Sequence, residues 1–301
     1  MTRHPTVPLM MACLGVALTA AASAETRQQH PRPASASAAQ SGGGTAMVWQ
    51  LDGPLNTVYI CGSIHVLRRH DQLPAAMLEA YRNSQLVVME LSPEQYIFGI
   101  LLQSLQPDVF IPMSNRVKRA LRQRLLELGV RQVDDLIAGL SAHKVPQLLN
   151  SLVLGKAGYS PGYGVEMRIL GRCLRDDKPV EGLESAVDQL TQFARRKQYT
   201  LEKAILSSIE NSRASLASLD RMVELWKSGD LPSLEAEMSE GVTARTRRFV
   251  LNERNKLWIP KIMLHARKRE NVMIIVGAGH LVGNHSVLHL LSLKGYRFKQ
   301  L

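Results

Sequence analysis

Two segments at opposite ends of the chain share one order of residue types. Each has a short apolar run, then Gly-x-x-His, then a return to apolar residues: "VYICGSIHVL" at Val58–Leu67 and "IIVGAGHLVG" at Ile274–Gly283. Each run predicts a buried strand, and glycine at its end lets the backbone turn and approach a ligand closely. Because open α/β sheets bind ligands at the carboxyl ends of their strands, the pattern favours a functional site at His65 and His280. The alternative is that each histidine caps a loop through a hydrogen bond.

The elements around the two motifs also follow one order of strand, histidine loop, helix and strand. The first strand of the N-terminal unit, Thr57–Cys61, forms a predicted hairpin with Met47–Leu51, and the unit continues through a helix at Pro74–Asn83 to a strand ending at Glu90. In the C-terminal unit, Ser286–Leu293 is the helix and "YRFKQL" the last strand. We therefore predict an α/β (α+β) fold. Its central mixed β-sheet is built from N- and C-terminal strand–GxxH–helix–strand units, with a large helical insertion. Two unrelated strand–loop–helix units are the alternative.

The middle of the chain has the apolar spacing of helices, and the predicted segments are Gln95–Leu105, Asn115–Leu128, Val133–Ala138, Ser141–Leu154 and Val165–Leu174. One short strand is predicted in "KPVEGLES". From Ser185 to Arg269 the chain reads as almost all helix, interrupted at Gly229-Asp230 and near Glu240-Gly241.

The first 45 residues have a different character. Arg3 precedes an apolar stretch that ends in Ala22-Ser23-Ala24, which is typical of a signal peptide over residues 1–24. Residues 25–45 are rich in Ser, Ala, Pro and Gly, which predicts a disordered linker. We therefore expect an exported protein, periplasmic or secreted, with a folded domain over residues 46–301.

Charge and cysteine content narrow the possible partners. The net charge is +11, and removal of Arg3 with the signal peptide leaves +10. The cations are scattered along predicted helices without a nucleic-acid motif, so we expect no nucleic-acid binding, and an anionic envelope surface is a possible partner. No later stretch is long and apolar enough to predict a stable membrane span. Cys61 and Cys173 remain after processing, either bridged or as two buried free thiols.

A carboxylate is predicted to lie at the same site as the two histidines. Glu90 directly follows the apolar run "LVVM", at the same kind of strand end. A buried carboxylate is costly unless it is paired, protonated or bound to a metal. Two histidines and one glutamate would form a hydrolytic metal site with open positions, whereas a Glu90 pointing to solvent would not.

The chain resembles the TraB/PrgY/GumN family, whose animal relatives are the TIKI metalloproteases. The resemblance covers about Trp49 to Leu301 and rests on "YICGSIHVL", "LVVMELS", "GYGVEMRILGRCLRDDKPVEGLESAVDQL", "ERNKLWIPKI" and "VGAGHLVGNHSVLHLLSLKGY". It implies a fold related to erythromycin-esterase-like and ChaN-like proteins. It also implies that His65, Glu90 and His280 serve metal-dependent peptide cleavage.

Other positions follow from the same resemblance. Glu166 stands where the family often carries Asp, and is implied as a further metal ligand; a charge at a helix N-terminus is the alternative. Arg254 matches a family arginine that could stabilise an oxyanion or hold a substrate carboxylate, and its neighbour Asn255 is implied to contact substrate. Glu184 is implied to bind substrate or to orient a histidine or Arg254. His70, His285 and His289 lack such a context and are expected to be ordinary histidines.

The expected function is therefore an exported metal-dependent hydrolase, and more narrowly a peptidase, acting on a peptide or protein substrate. Histidine and carboxylate ligands suit Mn²⁺, Co²⁺ or Zn²⁺, and the absence of H-E-x-x-H excludes a zincin. Two alternatives stay open. One is a metal-independent, esterase-like hydrolase that uses a histidine base oriented by Glu90 or Glu184. The other is a non-catalytic protein that binds a peptide or an envelope component.

Overall fold

The computed structural model describes residues 46–105, 110–195, 200–239 and 242–301. The predicted signal peptide and linker, and the predicted helix interruption at Glu240-Gly241, lie outside these ranges. A six-stranded sheet has the order β6-β4-β7-β2-β1-β8, and a small second sheet pairs β3 with β5. The strands are β1 (Val48–Asp52), β2 (Thr57–Ser63), β3 (Leu67–Arg68), β4 (Leu86–Met89), β5 (Tyr159–Ser160), β6 (Val180–Gly182), β7 (Val272–Gly277) and β8 (Lys299–Gln300).

The strands that carry the two Gly-x-x-His motifs are neighbours in the centre of the sheet. β2 and β7 run parallel, and the register pairs Gly62 with Val276 and Ser63 with Gly277. β4 lies parallel to β7 on its other side, so the carboxyl ends of β2, β7 and β4 meet at one edge of the sheet. All of β7 and nearly all of β2 are buried, as strands covered on both faces should be. The predicted mixed sheet and N-terminal hairpin are confirmed.

The sheet differs from the prediction at both edges. β6, from the "KPVEGLES" segment inside the helical insertion, pairs in parallel with β4, so the insertion also contributes to the sheet. The last strand, predicted in "YRFKQL", is only Lys299–Gln300 and pairs with the hairpin strand β1. The second strand of the N-terminal unit, β4, therefore lies beside β7, whereas the second strand of the C-terminal unit, β8, lies at the outer edge of the sheet beside β1.

Helices fill the middle of the chain as predicted, with boundaries shifted by at most four residues. They are α1 (Ala75–Asn83), α2 (Pro93–Ser104), α3 (Asn115–Glu127), α4 (Val133–Gly139), α5 (Val145–Lys156), α6 (Val165–Arg175), α7 (Ala186–Arg195), α8 (Leu201–Ser228), α9 (Leu231–Ser239), α10 (Ala244–Arg247), α11 (Glu253–His265) and α12 (Val287–Ser292). A π-helical turn at Arg248–Asn252 joins α10 to α11. The predicted helix at Ser141–Leu154 begins as a 3₁₀ turn, Ala142–Lys144.

The insertion has a core of its own. Apolar side chains of α3, α4, α5 and the start of α8 form a second cluster, separate from the cluster around the sheet. In the described ranges no helix is long and apolar enough to cross a membrane. Cys61 and Cys173 are both buried free thiols, one in β2 and one in α6.

Candidate active site

His65, Glu90 and His280 come together at the carboxyl edge of the sheet. A Cβ atom built on Gly277 would lie 3.3 Å from Glu90 Oε1, 3.5 Å from His65 Nε2 and 3.6 Å from His280 Cδ2. His65 Nε2 and His280 Cδ2 are therefore at most 7.1 Å apart, the sum of the last two distances. Neither Gly62 nor Gly277 has a positive φ, so these glycines supply space rather than a left-handed backbone.

These residues line one end of a cavity of about 520 Å³. The sheet edge forms its floor, and helices α2, α5, α6, α7, α8, α9 and α11 contribute to its walls. The polar lining at the sheet edge comprises Ser63, His65, Glu90, Glu166, Arg254 and His280. The rest of the wall is mostly aliphatic, and this size is typical of small-molecule sites.

His65 is held by a carboxylate from α6. Its Nδ1 donates a hydrogen bond to Glu166 Oε1 over 2.7 Å, and the Ser63 hydroxyl donates to the same oxygen. Burial opposes a charge on the imidazole, but the adjacent Glu166 carboxylate overcomes this and raises the pKa of His65 to about 9. About a quarter of the His65 side chain is exposed, which leaves Nε2 directed at the space beside Gly277.

Close packing of α6 against the His65 loop sets this geometry. The N–H of Val165 donates to the Ile64 carbonyl, and a Cβ on Gly164 would lie only 2.2 Å from the His65 carbonyl oxygen. Glycine is therefore required there for close approach. In the "GYGVE" segment, Gly164 allows the close approach and Glu166 supplies the carboxylate, so both residues help to position His65.

His280 has the opposite electrostatic environment. Asn255 Nδ2 donates to the His285 carbonyl, so Asn255 Oδ1 accepts from His280 Nδ1 at 2.5 Å, and His280 Nε2 keeps its lone pair. Burial lowers the pKa of His280 to about 3, although the nearby Glu90 carboxylate acts in the opposite direction. The site thus contains one imidazole that favours the charged form and one that stays neutral, a division typical of acid–base sites.

Arg254 is the cation at the centre of the site, and only 2% of it is exposed. Its Nε donates to both Glu184 oxygens, at 3.0 and 3.1 Å. Its Nη2 donates to Glu90 Oε2 and Glu184 Oε1, each at 2.5 Å. Its Nη1 donates to the Val250 carbonyl at 3.0 Å and to His280 Nε2 at 3.1 Å. All five N–H groups of the guanidinium are therefore used inside the protein.

The two carboxylates that share Arg254 respond differently. Burial would raise the pKa of Glu90, but Arg254, the two histidines and the Gly277 N–H, which donates to Oε1 at 2.8 Å, together hold it below the usual range. For Glu184, burial outweighs Arg254 and raises the pKa. Glu90 therefore borders the cavity as a firmly ionised carboxylate.

Three of the expected site residues, Glu184, Asn255 and Arg254, use their polar groups in contacts with other groups of the protein. Glu184 and Asn255 are buried and do not appear among the described lining residues; Glu184 bonds Arg254, and Asn255 bonds His280. Arg254 reaches the cavity wall with every donor already engaged. These contacts support positioning roles, and direct substrate binding by Glu184 and Asn255 stays a prediction.

Two residues that contact the site, Ser63 and Trp258, were not predicted from the sequence. Ser63 donates to Glu166, and Trp258 donates to Glu184 Oε2 at 3.2 Å while its ring lies 4.4 Å from that of His280. Trp258 lies one helical turn after Arg254 in "ERNKLWIPKI", so helical spacing alone places both on one face of α11. Nothing in the sequence marks Ser63 apart from its place at the end of β2.

The donor set does not fit a ready-made metal site. His280 Nε2 and Glu90 Oε2 both accept hydrogen bonds from the Arg254 guanidinium, so a fixed cation already occupies these two ligand atoms. Glu166, the fourth expected ligand, is engaged by His65 and Ser63. In the described part of the chain no group of three or more His, Cys, Asp or Glu has the arrangement of a metal site. Metal binding therefore stays a prediction, and no chemical step below depends on it.

Comparison with known proteins adds one finding. The profile of the TraB/PrgY/gumN family matches residues 47–300, which is nearly the whole described chain and includes every site residue above. No curated protein and no solved structure gives a significant match. The match confirms the family indicated by the sequence motifs, and the chain belongs to the TraB/PrgY/gumN family.

Proposed function

We propose that the protein is a hydrolase of ester or amide bonds, with His65 as the group that moves the proton. The observation that carries this proposal is the Ser63–Glu166–His65 chain, which fixes Nδ1–H on the carboxylate and leaves Nε2 facing the cavity. A histidine oriented by a carboxylate is the arrangement that general-base catalysis requires.

The proton balance follows from this geometry. A water molecule beside Gly277 attacks the substrate carbonyl carbon and gives a proton to His65 Nε2. His65 then returns that proton to the leaving oxygen or nitrogen as the bond to the carbonyl carbon breaks, which yields a carboxylic acid and an alcohol or amine. Glu166 holds the imidazole in the required tautomer and stabilises its charged form. Glu90 Oε1 borders the same space and orients the water by accepting a hydrogen bond from it.

Peptide cleavage, export and metal dependence are narrower expectations, and each is a separate proposal. Cleavage of peptide bonds is supported by the resemblance to TIKI-type proteins, and export is supported by the character of residues 1–24. Metal dependence would need Arg254 to withdraw from Glu90 and His280. We therefore favour the metal-independent hydrolase among the alternatives.

Chelation separates these alternatives. We expect ester or amide hydrolysis by the purified protein to survive prolonged treatment with a strong chelator, because Glu90 Oε2 and His280 Nε2 accept hydrogen bonds from Arg254. The measurement is the initial rate before and after chelation, with metal content determined on the same sample. Loss of the rate on chelation, restored by Mn²⁺, Co²⁺ or Zn²⁺, would establish the metal-dependent version. Tight ligand binding without turnover under all these conditions would establish a binding protein.

A methyl group at Gly277 should block the space in which water reacts. In Gly277→Ala the new carbon would lie 3.3 to 3.6 Å from Glu90, His65 and His280, so we expect kcat/KM to fall about 10- to 100-fold. Gly155→Ala in α5 is the matched control, because no heavy atom lies within 4 Å of its added carbon. Thermal denaturation of both variants checks that they fold. Equal activity in the two would place the reaction elsewhere in the cavity.

A further inference from the structure

We infer that the cavity binds a long apolar acyl chain, so that the substrates are neutral esters or amides of such chains. This inference deepens the proposed function and rests on it, because the scissile carbonyl must lie at the His65 end. It concerns the wall of the cavity rather than the reacting groups.

Polar and apolar linings are segregated along the cavity. Beyond the sheet edge, the wall is formed by aliphatic side chains from several helices, with Phe193. Four methionines from separate elements contribute: Met89, Met167, Met222 and Met238. Methionine is flexible and polarisable, and it adapts to apolar ligands of irregular shape. This wall suits a ligand that has no polar group beyond its carbonyl end.

A peptide fits this wall less well than an acyl chain. Each residue of a peptide carries an N–H and a C=O, and burial without a partner costs free energy at each. Away from the sheet edge, the described lining offers few polar side chains, Tyr96, Asn150 and Gln189, and Gln189 already donates to Glu184. The backbone groups of the lining helices are largely used in their own hydrogen bonds. A methylene chain makes no such demand.

The mouth of the cavity is also apolar. Ile97 of α2 and Leu174 of α6 both line the cavity, yet they are 65% and 76% exposed. Phe98 and Leu101 continue the exposed apolar surface on α2. Large exposed aliphatic residues at a cavity entrance are expected where an apolar chain enters.

The polar end of the cavity, at the sheet edge, favours a neutral ligand over a fatty-acid anion. Arg254 is the sole Lys or Arg among the described lining residues, and all its N–H groups are occupied. The carboxylates of Glu90 and Glu166 lie at the same end. A negatively charged ligand would therefore meet like charge from these two carboxylates, whereas a neutral ester or amide would not.

Chain-length dependence of hydrolysis is the first test. With p-nitrophenyl esters from acetyl through hexanoyl to dodecanoyl, we expect kcat/KM to rise at least about tenfold along the series, because each buried methylene adds binding. Leu170→Trp, which narrows the wall at α6, should lower the ratio of the dodecanoyl rate to the acetyl rate about tenfold. Leu126→Trp, on α3 and outside the lining, should behave as wild type. A flat series, or faster cleavage of apolar peptides than of dodecanoyl esters and amides, would overturn the inference.

Binding without hydrolysis separates this inference from the proposed function. We expect dodecyl methyl ketone, but not acetone at equal concentration, to displace the neutral dye Nile red from the wild type and from His65→Ala. Leu170→Trp should weaken that displacement about tenfold, whereas Leu126→Trp should not. Displacement without esterase activity would keep the acyl-chain cavity and reject the hydrolase. Hydrolysis of acetyl esters without displacement by the ketone would do the reverse.

Discussion

Replacement of Arg254 by methionine is expected to lower the free energy of unfolding by about 3–5 kcal/mol. Methionine preserves much of the aliphatic volume but removes the cation that neutralises Glu90 and Glu184, both of which bond the guanidinium. Loss of one partner from a buried ion pair leaves an uncompensated charge in a site that water reaches poorly. Urea denaturation near neutral pH measures the loss.

The control is Arg122→Met, because Arg122 pairs with Asp134 on the exposed surface and such pairs add little stability. The loss in Arg254→Met should shrink as the pH falls. The pKa of Glu90 is lowered in the folded protein, so the stability that its charge contributes is present above its ordinary pKa and is lost in acid. Equal unfolding curves for the two variants would show that Arg254 does not hold the site together.

The central geometry was predictable because few arrangements satisfy it. Two apolar runs ending in Gly-x-x-His had to be buried strands, and strands of this kind pair in parallel at the centre of a sheet, which places His65 and His280 at one edge. Glu90 follows a third apolar run and arrives at the same edge. These positions required only local patterns and general rules of sheet topology.

The hydrogen bonds between the site residues could not be predicted from the sequence. Nothing in "VEMR" shows that Glu166 bonds His65 rather than a metal, because that depends on how closely α6 approaches the His65 loop at Gly164. In the same way, four of the five N–H groups of Arg254 reach Glu90, Glu184 and His280 only because α11 packs beside the edge of the sheet. Amphipathic spacing predicts helices but does not say which faces meet, so the cavity between them could not be foreseen.

Replacement of His65 by alanine should reduce kcat/KM about 10²- to 10⁴-fold, the range expected when a general base is removed. The cavity wall and the Arg254 cluster do not depend on the imidazole, so ligand binding should persist. Glu166→Gln is the more discriminating change. It keeps the side chain's shape and a carbonyl oxygen that can accept from Nδ1, but removes the negative charge that raises the pKa of His65.

The pH dependence of kcat/KM then tests whether Glu166 sets the pKa of His65. In the wild type the neutral, basic form of His65 appears as the pH rises through about 9, so kcat/KM should rise through that value. In Glu166→Gln the pKa of His65 falls toward its ordinary value, and the rise should move to lower pH, while the plateau falls because the charged imidazole loses its stabilising carboxylate. A structural role for Glu166 would lower the rate at every pH without moving the profile. A profile that stays near pH 9 in this variant would mean that a group other than His65 sets the rise, and His65 would not be the base.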